Sequence, residues 1–206
     1  MVLYIWRHPK PIATTGLCIG QTDVKVNKRK LKRLANKIQR FVRLHQLPKV
    51  IWVSPLQRSL KVGEILAQYG FLYYVVPELV EFNFGNWDGQ PWTQIPKQEI
   101  DNWCVDFANF APKGGESLQQ LFERVENWLN EIAMSTMQNS KDRPVLAVGH
   151  AGWINAASMI AAGQETPKIA ADWPQAVSYL QCRKLNFRPK KLTVYNSQLL
   201  SNDFSI

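Results

Sequence analysis

The chain has little with which to brace itself covalently or around a metal. Its three cysteines, Cys18, Cys104 and Cys182, are widely separated, odd in number and without ligand-type spacing. They describe neither a disulfide framework nor a zinc site, and they fit a reducing, cytoplasmic setting. No apolar run reaches the length of a bilayer span, and no repeat or low-complexity tract interrupts the sequence. The opening Met1-Val2-Leu3-Tyr4-Ile5-Trp6 is apolar, but no basic residue precedes it and Arg7, His8 and Pro9 break it. It therefore reads as a first strand and not as a signal peptide. Acidic residues are also short: 16 against 25 Lys and Arg, a formal charge of +9. Such an excess favours an anionic partner, whether nucleic acid, a membrane surface or a phosphorylated small molecule. Histidine is scarce as well, with only three residues in the chain, so the place of each carries information.

What is present is an alternation. Apolar strands are expected at Val2 to Trp6, Val50 to Val53, Leu72 to Val76 and Val145 to Val148. Between them lie helical patterns. Lys28 to Arg43 buries Leu31, Leu34, Ala35, Ile38, Phe41 and Val42 at helical spacing and turns a basic, solvated face outward. A second helix runs from about Leu56 to Gln68 and stops at Gly70. A third opens at Ser117, with Gln120 placed to complete a capping box, and a fourth spans about Trp153 to Ala162. The tail suggests two more strands, Val177 to Cys182 and Leu192 to Tyr195, around a turn region from Lys184 to Lys191. A long irregular stretch at about 77–116, with some helix near Ile100 to Phe107, reads as a lid-like insertion in a single domain covering 1–206. Strands alternating with helices imply an α/β three-layer sandwich around a mainly parallel sheet.

In such sheets working groups collect beyond the carboxyl ends of the strands. Arg7-His8 follows the first strand, Ser54 to Arg58 the second, and His150 the fourth. His45 lies near the end of the basic helix and reads as a favourable charge at a helix C-terminus. A strand-end Arg beside the core needs an anionic partner, and two Arg with two His make a pocket suited to a phosphoryl group. Imidazole is a competent nucleophile once its tautomer is fixed.

These residues carry a resemblance. Leu3-Tyr4-Ile5-Trp6-Arg7-His8, Ser54-Pro55-Leu56-Gln57-Arg58-Ser59, Glu78-Leu79-Val80-Glu81 through Gly85-Asn86-Trp87-Asp88-Gly89, Gly114-Gly115-Glu116-Ser117 and Val148-Gly149-His150-Ala151-Gly152 stand in order. Together they resemble the motifs of the histidine phosphatase superfamily, whose fold is phosphoglycerate mutase-like. The resemblance implies a phosphohistidine at His8, phosphate contacts from Arg7, Arg58 and His150, and Glu81 as general acid and then base. It implies no metal and no cofactor, a small phosphorylated substrate, and no membrane or nucleic-acid partner. The oligomeric state is left open, with a homodimer as one option. Gly20-Gln21-Thr22-Asp23-Val24 is similar to a stretch of the α-ribazole phosphatases of cobalamin assembly.

The chain departs from the pattern where Pro9 replaces a glycine and removes a backbone N–H. The family's Asn further on has no counterpart either. Thr14 or Thr15 is the replacement hydroxyl, and with Gln21 these form the candidate substrate loop. Trp87, Trp92, Trp103 and Phe107 are either a binding wall or core packing. Two other functions compete with hydrolysis: a phosphoglycerate mutase-type transfer, and phosphate or nucleic-acid binding without turnover.

Overall fold

The computed structural model describes residues 1–138 and 143–189. Its sheet has five strands: β1 (Val2–Arg7), β2 (Val50–Val53), β3 (Leu72–Val75), β4 (Val145–Gly149) and β5 (Cys182–Asn186), in the order β3-β2-β4-β1-β5. The first four run parallel, and β5 closes the edge antiparallel to β1. β1 and β4 are neighbours in the middle, which explains why both read as nearly unbroken apolar runs.

Alternation along these strands separates the layers. Leu3, Ile5, Val145 and Ala147 point to one core, with α4 (Leu118–Gln138) and α5 (Ala151–Ala161) packed over them. Trp6, Leu146 and Val148 point to the other. There they meet Leu31, Leu34 and Ile38 of α1 (Lys28–Leu44), and Val62 and Leu66 of α2 (Gln57–Ala67). The result is the expected three-layer arrangement. Asn27 caps α1, its side chain accepting from the Arg29 N–H at 2.8 Å. The capping box is formed: Ser117 N donates to Gln120 Oε1 at 2.7 Å, and Gln120 N to Ser117 Oγ at 3.2 Å. No helix among the described residues is long and apolar enough to cross a membrane.

Two expectations are corrected. Helix α3 spans Lys97–Val105 and not Ile100 to Phe107, because Pro96 fixes its entry and Phe107 turns into the core. In the tail, Val177 to Cys182 is not a strand. Residues 174–181 cross the sheet edge, with Leu180 at φ 65° in a turn, and pairing starts at Cys182, so Lys184 lies in β5 and not in a turn. The suggested strand at Leu192 to Tyr195 lies outside the described residues. Between β3 and α4, three short 3₁₀ turns and α3 pack as a wall. There the backbones meet closely: a Cβ on Gly85 (φ +53°) would stand 2.3 Å from the Lys113 carbonyl oxygen.

Candidate active site

The β1–β4 pairing sets Arg7 opposite Gly149, so the next residues, His8 and His150, leave the sheet side by side with ring centroids 5.0 Å apart. Both are buried. His8 Nδ1 lies 2.8 Å from the carbonyl of Pro9, which can only accept, so the neutral ring carries its proton on Nδ1 and leaves the Nε2 lone pair free. Pro9 therefore contributes an acceptor where it lacks a donor. His150 has the opposite tautomer: Arg58 Nε–H donates to its Nδ1 at 3.2 Å, which places the ring proton on Nε2. That Nε2 has no partner among the described residues. Burial pushes both histidines well below the ordinary 6.5, and Arg58 then adds to the push. Arg7 lowers both further, His8 lowers His150, and the Pro9 hydrogen bond opposes the shift of His8. One ring is thus a neutral imidazole with a free Nε2 lone pair and the other a neutral donor.

Arg58 is 1% exposed. Its Nη1 donates to the Thr22 carbonyl at 2.8 Å and its Nη2 to the Gly20 carbonyl. Those carbonyls are placed by Asp88, which accepts from the backbone N–H groups of Gly20, Gln21 and Thr22. Asp23 accepts from Gln57 N at 2.8 Å at the start of α2. Arg7 donates from Nη1 to the Val177 carbonyl at 2.8 Å, and its guanidinium carbon lies 3.8 Å from the centroid of the Tyr179 ring. Its Nε is buried without a partner among the described residues.

Glu81 is 8% exposed and sits on the N-terminus of α5. Oε1 accepts from Phe82 N at 3.0 Å and Trp153 N at 3.2 Å; Oε2 accepts from Gly152 N at 3.1 Å. The loop that carries it is tied down by Arg124, which donates to the Glu78 and Val80 carbonyls at 2.7 and 3.0 Å and pairs with Glu116 at 2.7 Å. Glu116 Oε1 also accepts from Asn83 N at 2.9 Å.

Arg7, His8, Arg58 and Glu81 share one cavity of about 310 Å³. Thr14 lines it, whereas Thr15 is exposed and is not among the lining residues. Gln21 does not line it either; its amide donates to the Glu81 carbonyl at 3.0 Å and so braces the loop. Beyond the charged end the walls are apolar, with Phe82, Phe84, Trp92, Trp103, Phe107 and Trp173. Trp92 and Trp103 stack with 7° between their planes. Trp87 belongs elsewhere: it packs against Cys18 and Ile95 and donates to Glu99 at 2.6 Å. The two readings of the aromatics therefore divide by residue. Tyr179 could not be anticipated, since Val177 to Cys182 reads as a strand with no chemical motif, and Trp173 belongs to no motif either. The roles of Asp88 and Glu116 were visible only as motif letters.

Comparisons with known proteins identify the family and the fold. The model of the histidine phosphatase superfamily (branch 1) matches residues 3–196. The adenosylcobalamin/alpha-ribazole phosphatase of Escherichia coli (strain K12) is 25% identical over 162 residues, covering 74% of each chain. A glucosyl-3-phosphoglycerate phosphatase of Mycobacterium tuberculosis is 30% identical over 177 residues, covering 75% of each. A solved structure of a mycobacterial glucosyl-3-phosphoglycerate phosphatase with inorganic phosphate superposes with TM-score 0.72 at 25% identity. It covers 90% of this chain and 89% of that one. With five motifs in order, a phosphoglycerate mutase-like sandwich and two strand-end histidines between two arginines, the chain belongs to the histidine phosphatase superfamily.

Proposed function

We propose that this phosphatase hydrolyses a small phosphate monoester through a phosphohistidine on His8, without a metal. The observation that carries the reading is the pair of buried histidines in opposite tautomers, flanked by Arg7 and Arg58. His8 Nε2 attacks phosphorus with its free lone pair while the bond to the ester oxygen breaks. Arg7, Arg58 and the Nε2–H of His150 take the charge that spreads over the phosphoryl oxygens. Glu81 Oε1 is filled by two N–H donors, but Oε2 accepts only one and keeps a lone pair for a proton. Oε2 thus protonates the leaving alkoxide. It then removes a proton from water as the oxygen attacks phosphorus, the N–P bond breaks and inorganic phosphate is released.

The leaving group faces the aromatic walls. Among the residues that line the cavity, the only cations are Arg7 and Arg58, both at the phosphate end. A carboxylate on the alcohol, as in a phosphoglycerate, would be desolvated there without a partner. A ring-bearing alcohol would instead bury its apolar faces. This supports α-ribazole 5′-phosphate, within cobalamin assembly, as the specific substrate. The resemblance around Gly20 to Val24 supports the same choice.

The test is hydrolysis in EDTA of p-nitrophenyl phosphate, α-ribazole 5′-phosphate, 3-phosphoglycerate and a phosphopeptide, with His8→Ala as control. Turnover is expected to survive EDTA, to vanish in His8→Ala and to be fastest on α-ribazole phosphate. Activity in His8→Ala near that of the parent would end the covalent mechanism. A preference for 3-phosphoglycerate would end the substrate assignment alone.

A further inference from the structure

Tyr179 is absent from every motif in the chain, yet it lies at the centre of the phosphate end. Its ring covers the Arg7 guanidinium at 3.8 Å and stands 5.6 Å from the His8 ring. It also lines the cavity. We infer that Tyr179 is a positioning residue for phosphoryl binding, its ring holding the plane of the Arg7 guanidinium so that one edge of the fork faces the phosphoryl oxygens. The inference rests on the phosphoryl-binding part of the reading above.

The geometry of Arg7 leaves that function open. A guanidinium offers five N–H donors in one plane, and it binds a phosphoryl group well only when an edge presents two of them in parallel. Nη1 is taken by the Val177 carbonyl at 2.8 Å. Nε is buried with no partner among the described residues, so the Nε–Nη2 edge remains for the ligand. A single bond through Nη1 lets the plane swing about that contact. A ring stacked on the face removes the swing, and the contact takes no donor because it works through the π face. The planar edge is then set before the anion arrives.

The backbone behind Tyr179 is held as such a role requires. Leu180 sits at φ 65°, the left-handed region that residues with a Cβ disfavour. Strain of this kind persists where the surroundings over-determine it. Here they do: Leu180 N donates to the Arg7 carbonyl at 3.1 Å, Arg7 N to the Gln181 carbonyl at 3.0 Å and Gln181 N to the Ser178 carbonyl at 3.2 Å. Lys37 Nζ on α1 donates to the Leu180 carbonyl at 2.9 Å. The same residue, Arg7, is therefore gripped through its backbone by the turn and through its side chain by the ring.

The test compares Tyr179→Phe, which keeps the ring, with Tyr179→Leu, which removes it, by calorimetric titration with inorganic phosphate. Phosphate affinity is expected to stay within about threefold in Tyr179→Phe and to fall about tenfold in Tyr179→Leu, the scale of a desolvated cation–π contact. In turnover of p-nitrophenyl phosphate the same tenfold should appear in kcat/KM. Combining Tyr179→Leu with Arg7→Lys should add less than threefold to the loss from Arg7→Lys alone, because an ammonium has no plane to hold. Tyr179→Gln is the second ring-deleting variant should Tyr179→Leu prove unstable by thermal melting. Wild-type affinity in both ring-deleting variants, equal losses in Tyr179→Phe and Tyr179→Leu, or a full tenfold added on Arg7→Lys would each overturn the inference. Phosphate binding that behaves as expected in a protein without turnover would instead refute the catalytic reading and leave the positioning intact.

Discussion

Gly152 gives the sharpest test of how Glu81 works. It donates its N–H to Oε2 at 3.1 Å, and a Cβ added to it would stand 2.6 Å from Oε1. Ordinary contact begins near 3.4 Å, so in Gly152→Ala the carboxylate must retreat by about 0.8 Å. A misplacement of 1 Å costs on the order of a hundredfold in a positioned reaction, so the expected loss is about 30-fold. It should fall where proton donation matters. kcat/KM reports the steps through release of the alcohol, before water attacks. An alkyl phosphate should lose about 30-fold in kcat/KM, whereas p-nitrophenyl phosphate, whose leaving group departs unprotonated, should lose less than threefold. Glu81→Gln should show the same pattern more strongly. Stability should change little or fall modestly, because the roughly 0.5–1 kcal/mol that Ala gains over Gly in a helix is set against about 1–3 kcal/mol for crowding the buried Glu81 carboxylate. Thermal melting alongside the kinetics therefore separates displaced chemistry from unfolding. Equal losses on both esters, or no loss on either, would refute the assignment of Glu81 as the acid.

Two further outcomes follow from the supports of the site. The native protein keeps His8 and His150 neutral well below 6.5, while the unfolded chain protonates them near 6.5. Stability is thus complete above about pH 7 and is lost as pH falls from 6.5 toward the lowered native values, by about 1.4 kcal/mol per pH unit for each histidine. Between pH 7.5 and 5.5 the loss of stability in urea unfolding should be about 1.4 kcal/mol smaller in total in His8→Asn than in the parent, the unfolded imidazole being half protonated at about 6.5, and an unchanged loss would contradict the neutral native state. Arg124→Met leaves the Glu78 and Val80 carbonyls and Glu116 without their donor. It should cost about 2–3 kcal/mol in urea unfolding, below the cost of breaking a fully buried pair, and should weaken alkyl-ester turnover more than aryl. A change under 0.5 kcal/mol would mean the loop holds itself.

Most of the site was legible because its groups follow strands whose apolar runs are unmistakable. Tyr4-Ile5-Trp6 and Val145 to Val148 announce central strands, so Arg7, His8 and His150 were placed before any contact was known. The capping box at Ser117 was legible for a similar reason, since its signal is local. What stayed hidden depends on distant partners. Val177, Tyr179 and Leu180 have the β-branched, aromatic and apolar character of a strand, and only the left-handed Leu180 and the bonds to Arg7 turn them into a clamp. Gln21 looked like a substrate contact, but its amide reaches the Glu81 carbonyl, 60 residues away in sequence. Gly152 was a motif letter without a role until Glu81 was found against it.

One physical requirement connects these parts. The cations that would bind a phosphoryl group are the same ones that, together with burial, keep His8 and His150 neutral. Arg58 therefore performs two tasks with one fork, orienting His150 through Nε while its Nη groups are fixed by Gly20 and Thr22. Burial alone lowers the affinity of Arg58 for its own proton; Glu81, Asp23 and Asp88 oppose that and keep it charged. Asp88 and Asp23 do so from outside the cavity while pinning the loop and helix that present Arg58. The positive pocket is thus neutralised from behind by carboxylates that anchor backbone. From the front, the compensating charge would be the phosphoryl group of the proposed substrate.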